Sequence, residues 1–242
     1  MKLLVAVPCM DFCHTDFVRS LVGLRVPPGV QYTFSKSSLI YDARDALANV
    51  AIESGCDRVL WLDSDMLFEP DLYERLAAHL DAGKEFVTGI YFARRAPVQP
   101  VLYKELRIEQ QGAFYKPVAD RFEDWPREEP FRIAGCGFGA VLMTTELLRR
   151  VRDACGLPFM PSAGYGEDLA FCLRATQLGA ELWCDPQVRP GHIGLAVYDE
   201  RSWRPERVDR ESETPHPSLA ATPSPQGEGM AGPQGEGRQE AT

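Results

Sequence analysis

Short apolar runs alternate with stretches of helical spacing along the first part of the chain. Leu3 to Pro8 contains no polar position and predicts a buried strand. In Tyr41–Gly55, Ala43, Ala46, Leu47, Val50 and Ala51 recur at helical spacing, and Gly55 closes the pattern. Arg58–Asp63 carries the unbroken run Val59 to Leu62, the signature of a strand covered on both faces. Glu69–Gly83 sets Leu72, Leu76 and Leu80 on one helical face, with Pro70 near its first turn and Gly83 at its stop. Lys84–Ala93 is the next strand. This alternation predicts an α/β fold, a single Rossmann-like domain with a mostly parallel central sheet.

The pattern changes between about Val98 and Pro130. Pro100–Val118 reads as short antiparallel strands around Gln111-Gly112, and Asp120–Pro130 as an acidic loop. Phe131–Val151 then reads as strand, glycine-rich turn, strand and helix. Gly166–Gly179 is a helix, Ala180–Asp185 a strand, and Val188–Gly194 a closing loop. Beyond Trp203 there is no aromatic residue, and the sequence repeats PQGEG. Such a segment buries too little surface to offset its ordering entropy, so residues 1–203 are expected to form the domain and 204–242 a disordered tail.

Composition narrows the function classes. The chain has 242 residues, of which 45% are hydrophobic, enough for one sizeable core. A formal net charge of −9 argues against a nucleic-acid partner, which calls for a basic surface. No apolar run reaches the ~18 residues of a membrane span, so no transmembrane segment is expected. The apolar start is short, and Asp11 follows without a small-residue cleavage pattern, so it reads as a strand and not a signal peptide. Seven cysteines without framework spacing suit a reducing cytoplasm. Cys9, Cys13 and His14 could suggest a metal site, but small side chains beside a loop are the plainer reading.

The apolar strand at Val59–Leu62 ends in Asp63-Ser64-Asp65. Burying a carboxylate is costly unless a partner compensates it. In extended chain, a two-residue spacing would point both carboxylates to one side, with a cation between them. Oxygen ligands suit Mn²⁺ or Mg²⁺, and diphosphate oxygens could complete the shell. The plainer alternative is one turn-capping aspartate and one solvated one. Glu167 and Asp168 open a predicted helix: acids there favour the helix dipole, or one of them is a general base. His192, between glycines, is either structural or a nitrogen ligand for a divalent metal. Arg44 either holds a phosphate or an acid of the site, or is an exposed helix charge. Gly135–Val141 lets backbone approach a ligand closely but lacks the Gly-Lys-Ser/Thr of a Walker loop.

Taken in order, the first strand, the block Ala43–Phe68 with its DxD, the GCGFGAVLM segment, and Gly166–Pro186 with Gly191–Gly194 resemble a GT-A fold glycosyltransferase of the family 2 type, over about Met1–Ala196. The resemblance implies a hexosyltransferase that uses a nucleotide-sugar donor and an unknown glycan, lipid-linked or protein acceptor. It implies that Asp63 and Asp65 hold the metal on the donor diphosphate, with Ser64 between them, and that His192 closes the metal site. It gives the role of base toward the acceptor hydroxyl to Asp168, with Glu167 as the second candidate. It sets the nucleotide base near Pro8 and Met10, and carries Arg44 over. Related sequences often read Arg-Asn where this chain has Arg44-Asp45, which leaves Asp45 without a role. The acceptor side is expected within Tyr91–Pro130.

Three rivals share parts of the pattern. A DxD phosphatase normally carries its motif on the first strand, whereas a strand-helix unit precedes it here. A sugar-nucleotide nucleotidyltransferase usually has a basic glycine-rich loop after the first strand, and Pro8–Asp16 is neither. A non-catalytic nucleotide-sugar-binding module would need neither a metal nor a base.

Overall fold

The apolar runs become the central strands of one sheet in the computed structural model of the chain, which describes residues 1–112, 114–194 and 197–203. The elements are β1 (Leu3–Cys9), α1 (Thr15–Gly23), β2 (Gln31–Lys36), α2 (Ile40–Glu53), β3 (Arg58–Leu62), β4 (Met66–Leu67), α3 (Leu72–Asp81) and β5 (Phe86–Gly89). There follow β6 (Leu102–Gln111), β7 (Phe114–Arg121), β8 (Phe131–Ile133), β9 (Gly135–Cys136), β10 (Ala140–Thr144), α4 (Thr145–Cys155) and α5 (Glu167–Gln177). Last come β11 (Leu182–Asp185), β12 (Gly191–Ile193), β13 (Val197–Tyr198) and a 3-10 turn at Glu200–Ser202.

The largest sheet has the order β2-β1-β3-β10-β5-β11-β8. β1 is parallel to β2 and β3, and β11 is parallel to β5. β10 lies antiparallel between β3 and β5, and β8 is antiparallel to β11. Five strands of this sheet therefore run one way and two against them, so the fold is α/β with a mostly parallel central sheet. Side-chain alternation splits the interior into two cores. Leu4 and Ala6 of β1, with Val59 and Trp61 of β3, pack toward α2, α4 and α5. Leu3, Val5 and Val7, with Leu60 and Leu62, pack toward Phe17 of α1 and Leu72, Leu76 and Leu80 of α3. Full burial of such side chains is worth ~1.5–3 kcal/mol each, which is why the continuous runs were readable.

The structure adds elements that the pattern did not announce. α1 buries only Phe17 and leaves Val18 and Val22 exposed. β2 is an edge strand with no fully buried position. The segment expected as a closing loop contains β12, which pairs with β4 on one side and β13 on the other. The hairpin expected around Gln111-Gly112 is formed by β6 and β7.

The glycine-rich segment is a packing device, where the sequence suggested an approach for ligand. A Cβ on Gly137 would lie 2.0 Å from the Tyr91 hydroxyl oxygen, and one on Gly139 would lie 2.9 Å from Met66 Sδ. Gly139 N donates to Tyr91 Oη at 3.3 Å. The absence of side chains lets a buried tyrosine lie against the strand leading into β10.

At the far end, Trp203 packs on Trp125 with ring centroids 4.7 Å apart. Arg127 lies 3.9 Å from the Trp125 ring and 5.3 Å from that of Trp203. Its Nη1 reaches Glu200 at 3.1 Å, and Arg189 holds the same carboxylate at 2.6 Å. The tail expected at 204–242 lies outside the described residues. Among the described residues no helix is long and apolar enough to cross a membrane.

Candidate functional site

The carboxyl ends of parallel strands are where open α/β sheets bind ligands. Here β1, β3 and α2 meet β12 and the loop after β5 around a cavity of about 780 Å³. Pro8, Met10, Arg44, Asp63, Ser64, Asp65, Glu167 and His192 all line it, and Arg94 joins them. Asp168 is not among its lining residues.

The aspartates sit on a tight turn, not on extended chain. Met66 N donates to Asp63 O at 3.1 Å, closing a four-residue turn. Three distant segments fix its backbone. Asp63 N donates to Gly139 O at 3.2 Å, His14 N to Ser64 O at 3.2 Å, and Ile193 N to Asp65 O at 2.7 Å. Both carboxylates still reach the cavity, but each has its own cationic partner.

Asp63 belongs to Arg44. Arg44 Nη2 lies 2.8 Å from Asp63 Oδ1, and Nε lies 3.6 Å from Glu167 Oε1. The Arg44 side chain is 3% exposed and lies over Phe138, 5.3 Å from the ring centroid. Burial works against its charge, but Asp63, Glu167 and Asp168 outweigh it and hold its pKa above the ordinary value. Desolvation lifts Asp63 above the usual carboxylate value, against the pull of Arg44. Asp45, beside Arg44, faces away and accepts from Phe159 N at 2.9 Å, so it ties α2 to the segment leading into α5.

Asp65 belongs to a different set. Its Oδ2 lies 2.8 Å from Arg94 Nη1 and 3.6 Å from His192 Nε2. His192 is brought there by the β12–β4 pairing, which sets it opposite Met66. Its Nδ1 is 2.9 Å from Phe92 O. A carbonyl can only accept, so Nδ1 donates that bond, which fixes the ring with Nε2 toward Asp65. Asp65 Oδ1 is buried and has no hydrogen-bond partner among the described residues. Burial raises the Asp65 pKa, but His192 and Arg94 more than reverse this and leave it below the ordinary value.

These features test the metal expectation. Among the described residues there is no preassembled group of three or more His, Cys, Asp and Glu that could hold a metal ion. Asp65 and His192 come together, while Asp63 is turned to Arg44. A carboxylate with one unpartnered buried oxygen and the other 3.6 Å from an imidazole nitrogen is nevertheless a donor set that fits a divalent cation, with the remaining positions open to ligand oxygens.

α5 starts at Glu167, with Gly166 as its N-cap. The preceding Tyr165 is buried and reaches the β6–β7 hairpin, its hydroxyl 2.6 Å from Arg107 O and 2.9 Å from Val118 O. That anchorage fixes where the two acids begin. Asp168 accepts from Leu169 N at 2.7 Å and has no salt-bridge partner among the described residues. Burial first, then the neighbouring Glu167, pushes its pKa up to about 6, against Leu169 N–H and Arg44. Strong shifts of this kind favour acid–base roles near neutral pH.

Sequence reasoning did not single out Arg94. The only signal was an Arg94-Arg95 pair just past an apolar strand. Cys9, Cys13 and His14 line the cavity, but His14 Nδ1 caps α1 by accepting from Asp16 N at 3.2 Å.

No protein-family profile and no curated protein sequence matches the chain. Solved structures do. A197 from STIV superposes with a TM-score of 0.61 at 18% identity, covering 90% of this chain and 100% of that one. GalNAc-T7 with UDP, GalNAc and Mn²⁺ gives 0.54 at 14% identity, covering 84% of this chain and 45% of that one. TarS 1-349 from S. aureus gives 0.50 at 16% identity, covering 82% and 60%. The chain thus spans about half the length of those last two glycosyltransferase chains, and it shares their GT-A fold.

Proposed function

We propose that this chain is a metal-dependent glycosyltransferase that moves a hexosyl group from a nucleoside-diphosphate sugar to an acceptor hydroxyl, with inversion. The observation that carries the reading is Asp65 at the ligand-binding edge of a GT-A fold, its Oδ1 buried without a partner among the described residues and its Oδ2 3.6 Å from His192 Nε2. The solved GalNAc-T7 neighbour, which contains UDP, GalNAc and Mn²⁺, supports the same donor class and metal.

Asp65 and His192 would hold Mn²⁺ or Mg²⁺, with Asp63 set behind them on Arg44. The ion, when bound, would supply Lewis-acid stabilisation of the charge developing on the leaving diphosphate. Pro8, Met10 and Ser64 would receive the nucleoside, since all three line the cavity at the ends of β1 and β3. Asp168 would take the proton from the acceptor hydroxyl. It is preferred to Glu167 because Glu167 is tied to Arg44, whereas Asp168 has a raised proton affinity and no cationic partner among the described residues. The acceptor, a glycan, lipid-linked group or protein, would approach over the β6–β7 hairpin and the loop that carries Arg94.

The catalytic domain is proposed to span residues 1–203. A reducing cytoplasm is proposed as the compartment, a reading supported by seven cysteines that are all free. A phosphatase mechanism is less well supported, because the first aspartate, its nucleophile, is held 2.8 Å from a buried arginine.

The test is a hydrolysis and transfer screen of UDP-, GDP- and other nucleotide sugars, with Mn²⁺, with Mg²⁺ and with excess chelator. Parallel arms carry sugar 1-phosphate plus nucleoside triphosphate, and a phosphomonoester. Metal-stimulated release of nucleoside diphosphate is expected in the first arm alone. Product only in the other arms would replace the reading with a nucleotidyltransferase or a phosphatase. Full activity in chelator would remove the metal.

A further inference from the structure

The two aspartates of the turn are neutralised by two arginines of opposite character. Arg44 is 3% exposed and wedged against aromatic rings, so its end of the pair with Asp63 is part of the interior. Arg94 is 46% exposed, and its pair with Asp65 sits at the mouth of the cavity. A buried pair is costly to break, whereas an exposed pair is cheap to exchange.

The chain around Arg94 keeps the backbone in place, while the side chain itself is 46% exposed. The loop is pinched at its base by the bridge Phe92↔Pro100 and by Ala93 N donating to Gln99 O at 2.9 Å. Arg94 is the first residue beyond that pinch. Its Nη1 contacts Asp65 Oδ2 at 2.8 Å and donates to Ile193 O at 3.2 Å. The oxygen it holds is the one that faces His192 Nε2. A divalent cation drawn to Asp65 and His192 must therefore compete with this guanidinium.

We propose that Arg94 is a placeholder cation: it neutralises Asp65 while the metal is absent, yields it when the metal binds, and then turns its donors to the diphosphate of the incoming donor. The proposal rests on the metal-dependent reading above. The guanidinium suits both states, because its planar fork can bind a carboxylate or phosphate oxygens. It also gives a direction of effect that no structural role produces: removing Arg94 strengthens binding of the metal alone and weakens binding of the metal with diphosphate.

The experiment titrates Mn²⁺ alone, and then inorganic pyrophosphate at saturating Mn²⁺, into the wild type, Arg94→Ala, Arg94→Lys and Asp65→Asn. Calorimetry gives the affinities, and thermal melts verify the fold of each variant. Arg94→Ala is expected to bind Mn²⁺ about two- to fivefold more tightly, the span set by loss of one partly exposed ion pair. It is expected to bind pyrophosphate about tenfold more weakly, in keeping with loss of a charge-assisted pair. Arg94→Lys should return toward wild type in both titrations. Equal or weaker Mn²⁺ binding by a folded Arg94→Ala overturns the proposal. If Asp65→Asn still loses Mn²⁺ in that case, the metal site stands and only the placeholder role falls. If Asp65→Asn binds Mn²⁺ as the wild type does, both fall together.

Discussion

Asp168→Asn should make the protein more stable while it removes the activity. In the folded chain, burial and Glu167 raise the Asp168 pKa to about 6 from an ordinary 3.8. That gap corresponds to about 3 kcal/mol of interaction favouring the protonated form. Between the two values the folded state holds a proton that the unfolded state has released, so stability falls as pH rises through that window. Below 3.8 the carboxyl is neutral in both states and costs nothing. Above 6 the full penalty of about 3 kcal/mol is present. Asparagine keeps the shape and can still accept from Leu169 N, but it never carries the charge. At pH 8 the variant should therefore gain up to about 3 kcal/mol, or ~6–12 °C in Tm for a domain of this size. The gain should shrink steadily toward pH 4. Urea unfolding of both proteins at matched pH between 4 and 8 cancels the contribution of every other titrating group. Turnover at saturating donor should drop ~10²–10⁴-fold, the usual cost of losing a general base. A variant that is no more stable than wild type at pH 8 would refute the assignment of a charged, poorly compensated Asp168. Retained turnover would instead move the base to Glu167.

Three further outcomes follow from the same geometry. Asp65→Asn should abolish metal-stimulated turnover and Mn²⁺ binding with only a modest change in Tm, since the Arg94 end of the ion pair it removes is 46% exposed; unchanged metal response would dismiss Asp65 as a ligand. Arg44→Met should cost about 3 kcal/mol, the lower end for breaking a buried pair because Asp63 is partly open, and Asp63→Asn should restore much of it; additive losses in that double-mutant cycle would mean the pair is not coupled. Truncation after Trp203 should leave Tm unchanged, whereas truncation after Tyr198 should lower stability by about 1–3 kcal/mol, since Trp203 is half-buried against Trp125 and Arg127; equal effects in calorimetry would contradict the packed terminus.

The helices and inner strands were readable from local pattern because local pattern reports which faces are dry. Leu3–Pro8, Val59–Leu62 and Leu72–Leu80 each carry enough apolar area to commit their own segment to the interior. The DxD turn, the two acids opening α5 and the weight on Arg44 were readable for a related reason: charges beside buried runs stand out. α1 and β2 escaped because one buries a single phenylalanine and the other lies at the sheet edge, so neither shows a strong period. Which charge meets which was a separate matter. Asp63 and Asp65 were expected side by side on extended chain, yet bonds from His14, Gly139 and Ile193 curl that segment into a turn and hand each carboxylate to a different arginine. His192 looked like loop until β12 paired with β4 and set it beside Asp65. Gly137 and Gly139 looked like an approach for ligand, and Tyr91 fills that space instead. Each of these depends on the order of strands in a sheet, with β10 inserted between β3 and β5. Pairing across such distances is chosen by the global burial of whole strands, and no window of neighbouring residues contains it.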